Sequence, residues 1–256
     1  MVEISILISS FCRPHLLKWN LYSLAQQNIP FSFETIVLND GIPDLTFNIC
    51  EQFTNTLHLK YVFTGYRNEK GLVYRVPGFA LNIGARISRG NILIISCAEM
   101  FHINNTIELL AEPVLFEPTL LATSIGMDDQ DGSFLQHLEQ KHGAYNAFDY
   151  YNYPTLNTTL PFLMALSRQE FFAIGGYDED FVGFAYDDND LMDRLHKKGC
   201  RLCLTQAQTV HLYHERHDTG KEQTPEYLLN ASLYRERRGK ILRNESRDWG
   251  TIKYYY

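Results

Sequence analysis

Residues 91–96, Asn-Ile-Leu-Ile-Ile-Ser, form a short apolar run rich in β-branched side chains. A segment of this length and content reads as a strand covered on both faces, the condition met inside a parallel sheet. Residues 3–9 have the same character, and residues 34–38 and 58–63 read as further strands. Leu16, Leu17, Leu21 and Leu24 fall at helical spacing within residues 14–27. Residues 78–88 give a second helical pattern, which stops at Arg89-Gly90. Strand and helix in alternation predict an α/β fold with a central, mostly parallel sheet flanked by helices. In such open sheets ligands collect at the carboxyl ends of the strands.

The second half reads differently. Residues 118–124 and 161–167 look like strands, separated by a polar, aromatic-rich span. Residues 187–198 form an amphipathic helix with Leu191 and Leu195 four apart. It closes in Lys197-Lys198-Gly199, a cationic last turn followed by a cap glycine. Residues 201–213 return as strand and 224–240 as a last helix. We place a boundary near residue 222, with 1–222 as one domain and 223–256 as a C-terminal helical extension packed on it. A chain of 256 residues suits that plan.

Hydrophobic residues make up 45% of the chain, enough for a full core. The formal net charge of −7 argues against a uniformly basic nucleic-acid surface. The basic run Arg235, Arg237, Arg238, Lys240 and Arg243 reads as a solvated helix face. No uninterrupted apolar run reaches the roughly 18 residues of a membrane-spanning helix. Residues 2–9 follow no cationic segment and read as a first strand, not a signal peptide. Five scattered cysteines fit a reducing compartment, so the expected location is cytoplasmic. Cys200 and Cys203 lack a second pair and read as packing residues. The sequons at Asn104, Asn157, Asn230 and Asn244 carry little weight without secretion.

Chemistry concentrates in residues 175–190, where a Gly-Gly turn and an aromatic, glycine-containing segment lead into acids that open a helix. A helix N-terminus favours ionised carboxylates, and neighbouring rings can stack on the apolar face of a sugar. A carboxylate placed there can take the proton of an attacking hydroxyl. Asp190 and Asp193 read as first-turn charge and surface residues.

Gly183-Phe184-Ala185-Tyr186-Asp187-Asp188-Asn189-Asp190 resembles the Gly-Trp-Gly-x-Glu-Asp-x-Asp acceptor and base segment of the β-1,4-galactosyltransferase-like enzymes. Ser9-Ser10-Phe11-Cys12-Arg13, then Asn39-Asp40-Gly41, then Arg89-Gly90 and the strand after it resemble the nucleotide-binding half of family 2 glycosyltransferases. The resemblance spans roughly residues 3–217 and implies the GT-A fold, a Rossmann-like fold of nucleotide-diphospho-sugar transferases. It implies Ser10 and Arg13 near the nucleotide, and Asp40 accepting hydrogen bonds from uracil or ribose. Asp40 also reads as a plain turn former before Gly41. By the same resemblance Asp188 is the general base and Asp187 grips sugar hydroxyls. Asp188 is expected to face the donor across a pocket lined by Phe184 and Tyr186.

The family's Asp-x-Asp falls on Cys97-Ala98-Glu99. Glu99 keeps the last acid, which binds the metal in the galactosyltransferase-like group, and His102 is a further candidate ligand. The Met-x-x-His of that group falls on His211 and His214. His211, His214 and His217 share one side of a helical turn but not of a strand. His217, with Arg216, is an alternative contact for the diphosphate. Carboxylate and imidazole suit Mn²⁺ or Mg²⁺ beside a UDP-sugar.

The implied activity is that of a hexosyltransferase, inverting by direct displacement. Its partners are a nucleotide-sugar donor and a carbohydrate or glycoconjugate acceptor, with no nucleic acid. Two alternatives stay open: a retaining enzyme of the polypeptide N-acetylgalactosaminyltransferase type, and a non-catalytic nucleotide-sugar-binding protein, which Cys97 favours. A dinucleotide oxidoreductase is disfavoured, because no Gly-x-Gly-x-x-Gly follows the first strand.

Overall fold

The computed structural model describes residues 2–66, 75–157, 159–216 and 221–252. Its first half alternates strand and helix: β1 (Ile4–Ser10), α1 (Pro14–Leu24), β2 (Phe33–Asn39), α2 (Thr46–Glu51), β3 (Leu59–Phe63), α3 (Gly78–Ile87) and β4 (Ile92–Cys97). The second half contributes β5 (Met100–His102), α4 (Thr106–Phe116), β6 (Leu120–Asp128), α5 (Ser133–Gln140), β7 (Leu163–Ser167), α6 (Arg168–Ala173), α7 (Asp187–Lys197), β8 (Arg201–His211) and α8 (Pro225–Arg237). One sheet runs β3-β2-β1-β4-β7-β6-β8-β5. It is parallel through β3-β2-β1-β4. After that, β7 runs antiparallel to both β4 and β6, β8 is parallel to β6, and β5 is antiparallel to β8. Among the described residues, no helix is long and apolar enough to cross a membrane.

Side chains alternate across a strand, so β1 feeds two cores. Ile4, Ile6 and Ile8 join Leu17, Leu21 and Leu24 of α1 and Leu110 and Val114 of α4 on one face. Leu7 joins Leu81 and Ile83 of α3 and Leu191 and Leu195 of α7 on the other. The apolar pattern of β1 and β4 therefore reflects a strand covered on both sides. Pro14 opens α1 at a position where its missing N–H is no loss. The sequence pattern does not single out α2, β5, α4, α5 or α6. In α4 the interior Pro113 acts as a breaker signal that the surrounding packing overrides.

The acids around residue 180 and the basic run near the C-terminus meet each other. Asp190 is buried and pairs with Arg194 at 2.7 Å and with Arg243 at 2.5 Å. Asp178, also buried, takes Arg243 at 3.1 Å and Arg237 at 2.7 Å. Asp190 is thus an internal ion-pair partner rather than a simple first-turn charge. Arg237 and Arg243 are not a solvated face but counter-charges for these acids. Asp193 keeps its place near the surface, where it accepts from the Tyr234 hydroxyl at 2.5 Å. Trp249 completes the α3–α7 core. Residues 237–249 are therefore bound into the body by charge as well as by apolar packing.

Arg89-Gly90 has a structural explanation at the amino ends of the strands. Buried Glu34 of β2 accepts from the Ser5 hydroxyl at 2.7 Å and from the Arg89 backbone N–H at 2.7 Å. Gly90 then passes so close to β1 that a Cβ would lie 2.6 Å from the Ile4 carbonyl carbon and the Ser5 nitrogen. Neither backbone atom can yield as a flexible side chain would. We expect Gly90→Ala to destabilise the fold by about 1–3 kcal/mol, the usual range for overpacking a tight interior. Denaturant unfolding checks this, and an unchanged midpoint would contradict it.

Candidate active site

The connection from β1 to β2 packs α1 on one face of the sheet, whereas the connection from β3 to β4 packs α3 on the other. The strand order consequently changes direction between β1 and β4, which opens a crevice at their carboxyl ends. Ser9 of β1 stands in register with Cys97 of β4, and Ser10 with Asn39 of β2. A cavity of about 370 Å³ lies above this point. Ser10, Arg13, Asp40, Glu99, Asp188, His211 and His214 all line it. Seven candidate residues from five chain segments thus meet around one cavity.

Glu99 occupies the turn between β4 and β5 and is 5% exposed. His211 ends β8, and its Nε2 lies 3.7 Å from Glu99 Oε1. His214 follows in irregular chain, with its Nε2 3.8 Å from the same oxygen. No helical turn forms here. The two rings converge because the chain leaves β8 and bends over the cavity. One ligand atom from each of the three residues can be chosen so that all lie within 4.8 Å of one another. His211 Nδ1 is 3.2 Å from Asp128 and His214 Nδ1 is 2.9 Å from the Glu215 carbonyl. In the Nδ1–H tautomer, which these two acceptors suit, each Nε2 is the nitrogen that can ligate. One carboxylate oxygen and two imidazole nitrogens suit a borderline-hard divalent cation such as Mn²⁺.

Arg13, expected at the nucleotide, forms an ion pair with Glu99 and approaches His214 at 3.4 Å. Burial works to raise the Glu99 carboxyl, but Arg13 and the two histidines outweigh it and hold the group at about 2. Burial and Arg13 lower His214, which favours the neutral, ligating imidazole. Burial also works to lower His211, but hydrogen bonds to Asp128 and Glu99 raise it.

Asp128 is a residue that the sequence reading misses. It ends β6, directly in register with His211 on β8, and Arg216 holds its other oxygen at 2.9 Å. An acid at a strand end is the available signal, but its partner appears only once the register is known. His102 shows the opposite result. It ends β5, where chain positions three apart from an extended start tend to opposite faces. It lines a separate small pocket with Gln27 and Tyr145, and no ring nitrogen has a hydrogen-bond partner. Burial lowers it to about 4. The structure thus leaves His102 out of the Glu99 cluster. His217 lies outside the described residues.

At the other end of the cavity, Asp40 follows β2 and is buried. It accepts from the Thr64 hydroxyl at 2.8 Å and from Arg75 Nε at 2.9 Å. Arg75, also missed in the sequence, spans from Asp40 to the Phe11 ring, 5.9 Å away. Ser10 lies 3.3 Å from the Thr46 hydroxyl. Cys97 is part of the wall, and burial, with Glu99 and Asp188 nearby, raises its thiol so that it stays neutral.

Asp188 stands in the first turn of α7 and faces this cavity beside Phe184. The buried Tyr177 hydroxyl donates to its Oδ1 at 3.0 Å. Shielding from water raises its carboxyl to about 6. Asp187 turns inward: it is buried, absent from the cavity wall, and its Oδ2 has no hydrogen-bond partner. Burial and the neighbouring Asp188 push it well up. This placement does not bring Asp187 to a sugar hydroxyl. Tyr186 also departs from expectation. Its ring packs 5.3 Å from Tyr227 and 5.4 Å from Tyr234 on α8, away from the cavity lining.

The sequence matches the family model for glycosyl transferase family 2 over residues 5–173. A second model, the N-terminal domain of galactosyltransferase, matches residues 142–218 and so contains the acidic segment and both site histidines. Among curated proteins, validoxylamine A glucosyltransferase of Streptomyces hygroscopicus subsp. limoneus is 25% identical over 93% of this chain and 57% of its own length. Chondroitin synthase of Escherichia coli is 24% identical over 77% of this chain and 32% of its own. The chain thus spans only about a third to a little over half of these relatives. Among solved structures, GalNAc-T7 with UDP, GalNAc and Mn²⁺ superposes with a TM-score of 0.66 at 16% identity, covering 92% of this chain and 48% of that one. The mannosyltransferase PcManGT from Pyrobaculum calidifontis, with GDP-Man and Mn²⁺, gives 0.59 at 17% identity, covering 84% and 58%. These likenesses show the fold, which is GT-A. With more than half of its residues matched by one family model, the chain belongs to glycosyl transferase family 2.

Proposed function

We propose that this chain transfers a hexosyl group from a UDP-sugar to a carbohydrate hydroxyl, with inversion at the anomeric carbon and help from a divalent cation. The observation that supports it most is the meeting of Glu99, His211, His214 and Asp188 on one cavity wall. Ser10, Asp40 and Arg75 offer the nucleotide end of that cavity. Glu99, His211 and His214 would hold Mn²⁺, whose charge steadies the diphosphate as it leaves. Arg13 adds a fixed cation beside them.

In this reading the acceptor oxygen attacks the anomeric carbon as the bond to the diphosphate oxygen breaks. The proton of the acceptor hydroxyl passes to Asp188. Tyr177 already occupies Oδ1, which leaves Oδ2 for that proton. A carboxyl near 6 is ionised at neutral pH yet basic enough to take a proton late in the step. The reading is tested by UDP, GDP and CDP release from a panel of nucleotide sugars, with Mn²⁺ and with EDTA. NMR of the product anomer separates inversion from retention. Binding of UDP without turnover on any donor or acceptor would favour the non-catalytic alternative.

Asp188→Asn keeps the side chain's size but removes its capacity to accept a proton. Turnover is expected to fall by about 10²–10⁴-fold, with the UDP dissociation constant unchanged in calorimetry. Because the folded-state carboxyl is raised, it is protonated below about pH 6, and wild-type kcat should be lost as pH falls through that value. A flat kcat between pH 5 and 8 would remove Asp188 from the role. Glu99→Gln removes the charged ligand but keeps the shape. It is expected to weaken Mn²⁺ binding at least tenfold in a spectroscopic titration of the bound ion. Equal Mn²⁺ affinity in the variant would place the cation elsewhere.

A further inference from the structure

Asn230 lies midway along α8, outside the residues matched by either family model, and is wholly buried. Its two amide hydrogens are shared among the carbonyls of Val182 at 2.7 Å, Phe184 at 2.8 Å and Ala185 at 3.0 Å. Its Oδ1 accepts the Val182 N–H at 3.2 Å. A neutral amide is suited to this task because it offers donors and an acceptor on one short side chain. The buried Asn230 is consequently no acceptor for a glycan, although Asn230-Ala231-Ser232 reads as a sequon.

The segment that Asn230 grips has an unusual backbone. Gly183 has φ +67°, and it is followed by two non-glycine residues in the left-handed region, Ala185 at +71° and Tyr186 at +70°. L-residues seldom adopt this conformation singly and very rarely in succession. Nothing in the local sequence favours it, so the surroundings must impose it. Asn230 supplies that constraint, and Tyr227, one turn earlier on α8, adds to it. The Tyr227 ring lies 6.1 Å from Phe184 at 25° between planes, and its hydroxyl is 3.1 Å from that of Tyr186. Directly after Tyr186, α7 begins and Asp188 enters the cavity wall.

We infer that Asn230 is a positioning residue for Asp188: it locks residues 182–186 in the strained turn that aims the first turn of α7 into the cavity. α8 thereby belongs to the functional apparatus, although none of its residues lines the cavity. The consequence for turnover rests on the proposed function; the holding of the loop does not.

The test pairs hydrogen exchange by mass spectrometry with donor turnover, read as UDP release from UDP-sugars with Mn²⁺, in Asn230→Ala and Asn230→Asp. The aspartate keeps the size and the acceptor but lacks the N–H donors. Leu229→Ala, on the exposed side of the same helix, is the control. In both Asn230 variants, peptides covering 182–188 should exchange at least tenfold faster while β1 and β4 stay protected. Turnover should fall about 10–100-fold with KM for the donor and the affinity for UDP unchanged, while the protection of β1 and β4 shows that the folded fraction is not reduced. Unchanged exchange at 182–188 would overturn the inference, as would a loosened loop with wild-type kcat. Accelerated exchange throughout the chain in both variants would also overturn it, in favour of a general folding role. If the wild-type chain turns over no donor, the proposed function fails, and the exchange pattern alone decides whether Asn230 holds the loop.

Discussion

A negative charge placed where water cannot reach it is tolerable only if the protein supplies the missing stabilisation. Glu99 is such a charge, and much of the cavity follows from meeting its need. Arg13 arrives from the loop after β1, His211 from the end of β8 and His214 from the chain beyond it. Two distant segments are thereby drawn to one oxygen. The demand also propagates outward: His211 requires Asp128, and Asp128 in turn requires Arg216. A cation bound between Glu99 and the two rings would satisfy the same demand, which leaves Arg13 able to trade its carboxylate partner for a phosphate.

The acidic segment meets a similar demand by a different route. Asp178 and Asp190 are neutralised by Arg194 and by two arginines near residue 240. With those two acids paired, burial raises the remaining carboxyls, Asp187 and Asp188, and the charge of Asp188 raises Asp187 further. Division of labour among four neighbouring aspartates is thus set by which of them finds a guanidinium. The paired ones hold the helix, and the two without a guanidinium keep a raised proton affinity.

The parallel half of the sheet was legible because a strand buried on both faces must be apolar throughout, as β1 and β4 are. The cavity residues were legible where motif and strand end coincide, as at Ser10, Asp40 and Glu99. His102 follows Glu99 closely in sequence, but β5 carries its ring into a separate pocket, which the sequence alone does not reveal. Asp190 was misjudged because its partner Arg243 is distant in sequence and local dipole reasoning does not see it. Arg75 and Tyr177 carry no signal of their own, and Asp128 offers only an acid at a strand end. Each acquires its role from register or packing that exists only in the folded chain.

The ties between residues 237–249 and the acidic segment give the molecule an order of completion. On a ribosome the Ser10 and Asp40 end of the cavity, carried by β1 and β2, emerges first. Asp178 and Asp190 emerge next, without their counter-charges. Arg237 and Arg243 follow only after β8 and α8 have been made. The chain thus makes one end of the cavity well before it makes the arginines that pair with the acids around α7, so α7 is the part of the site that waits longest for its partners.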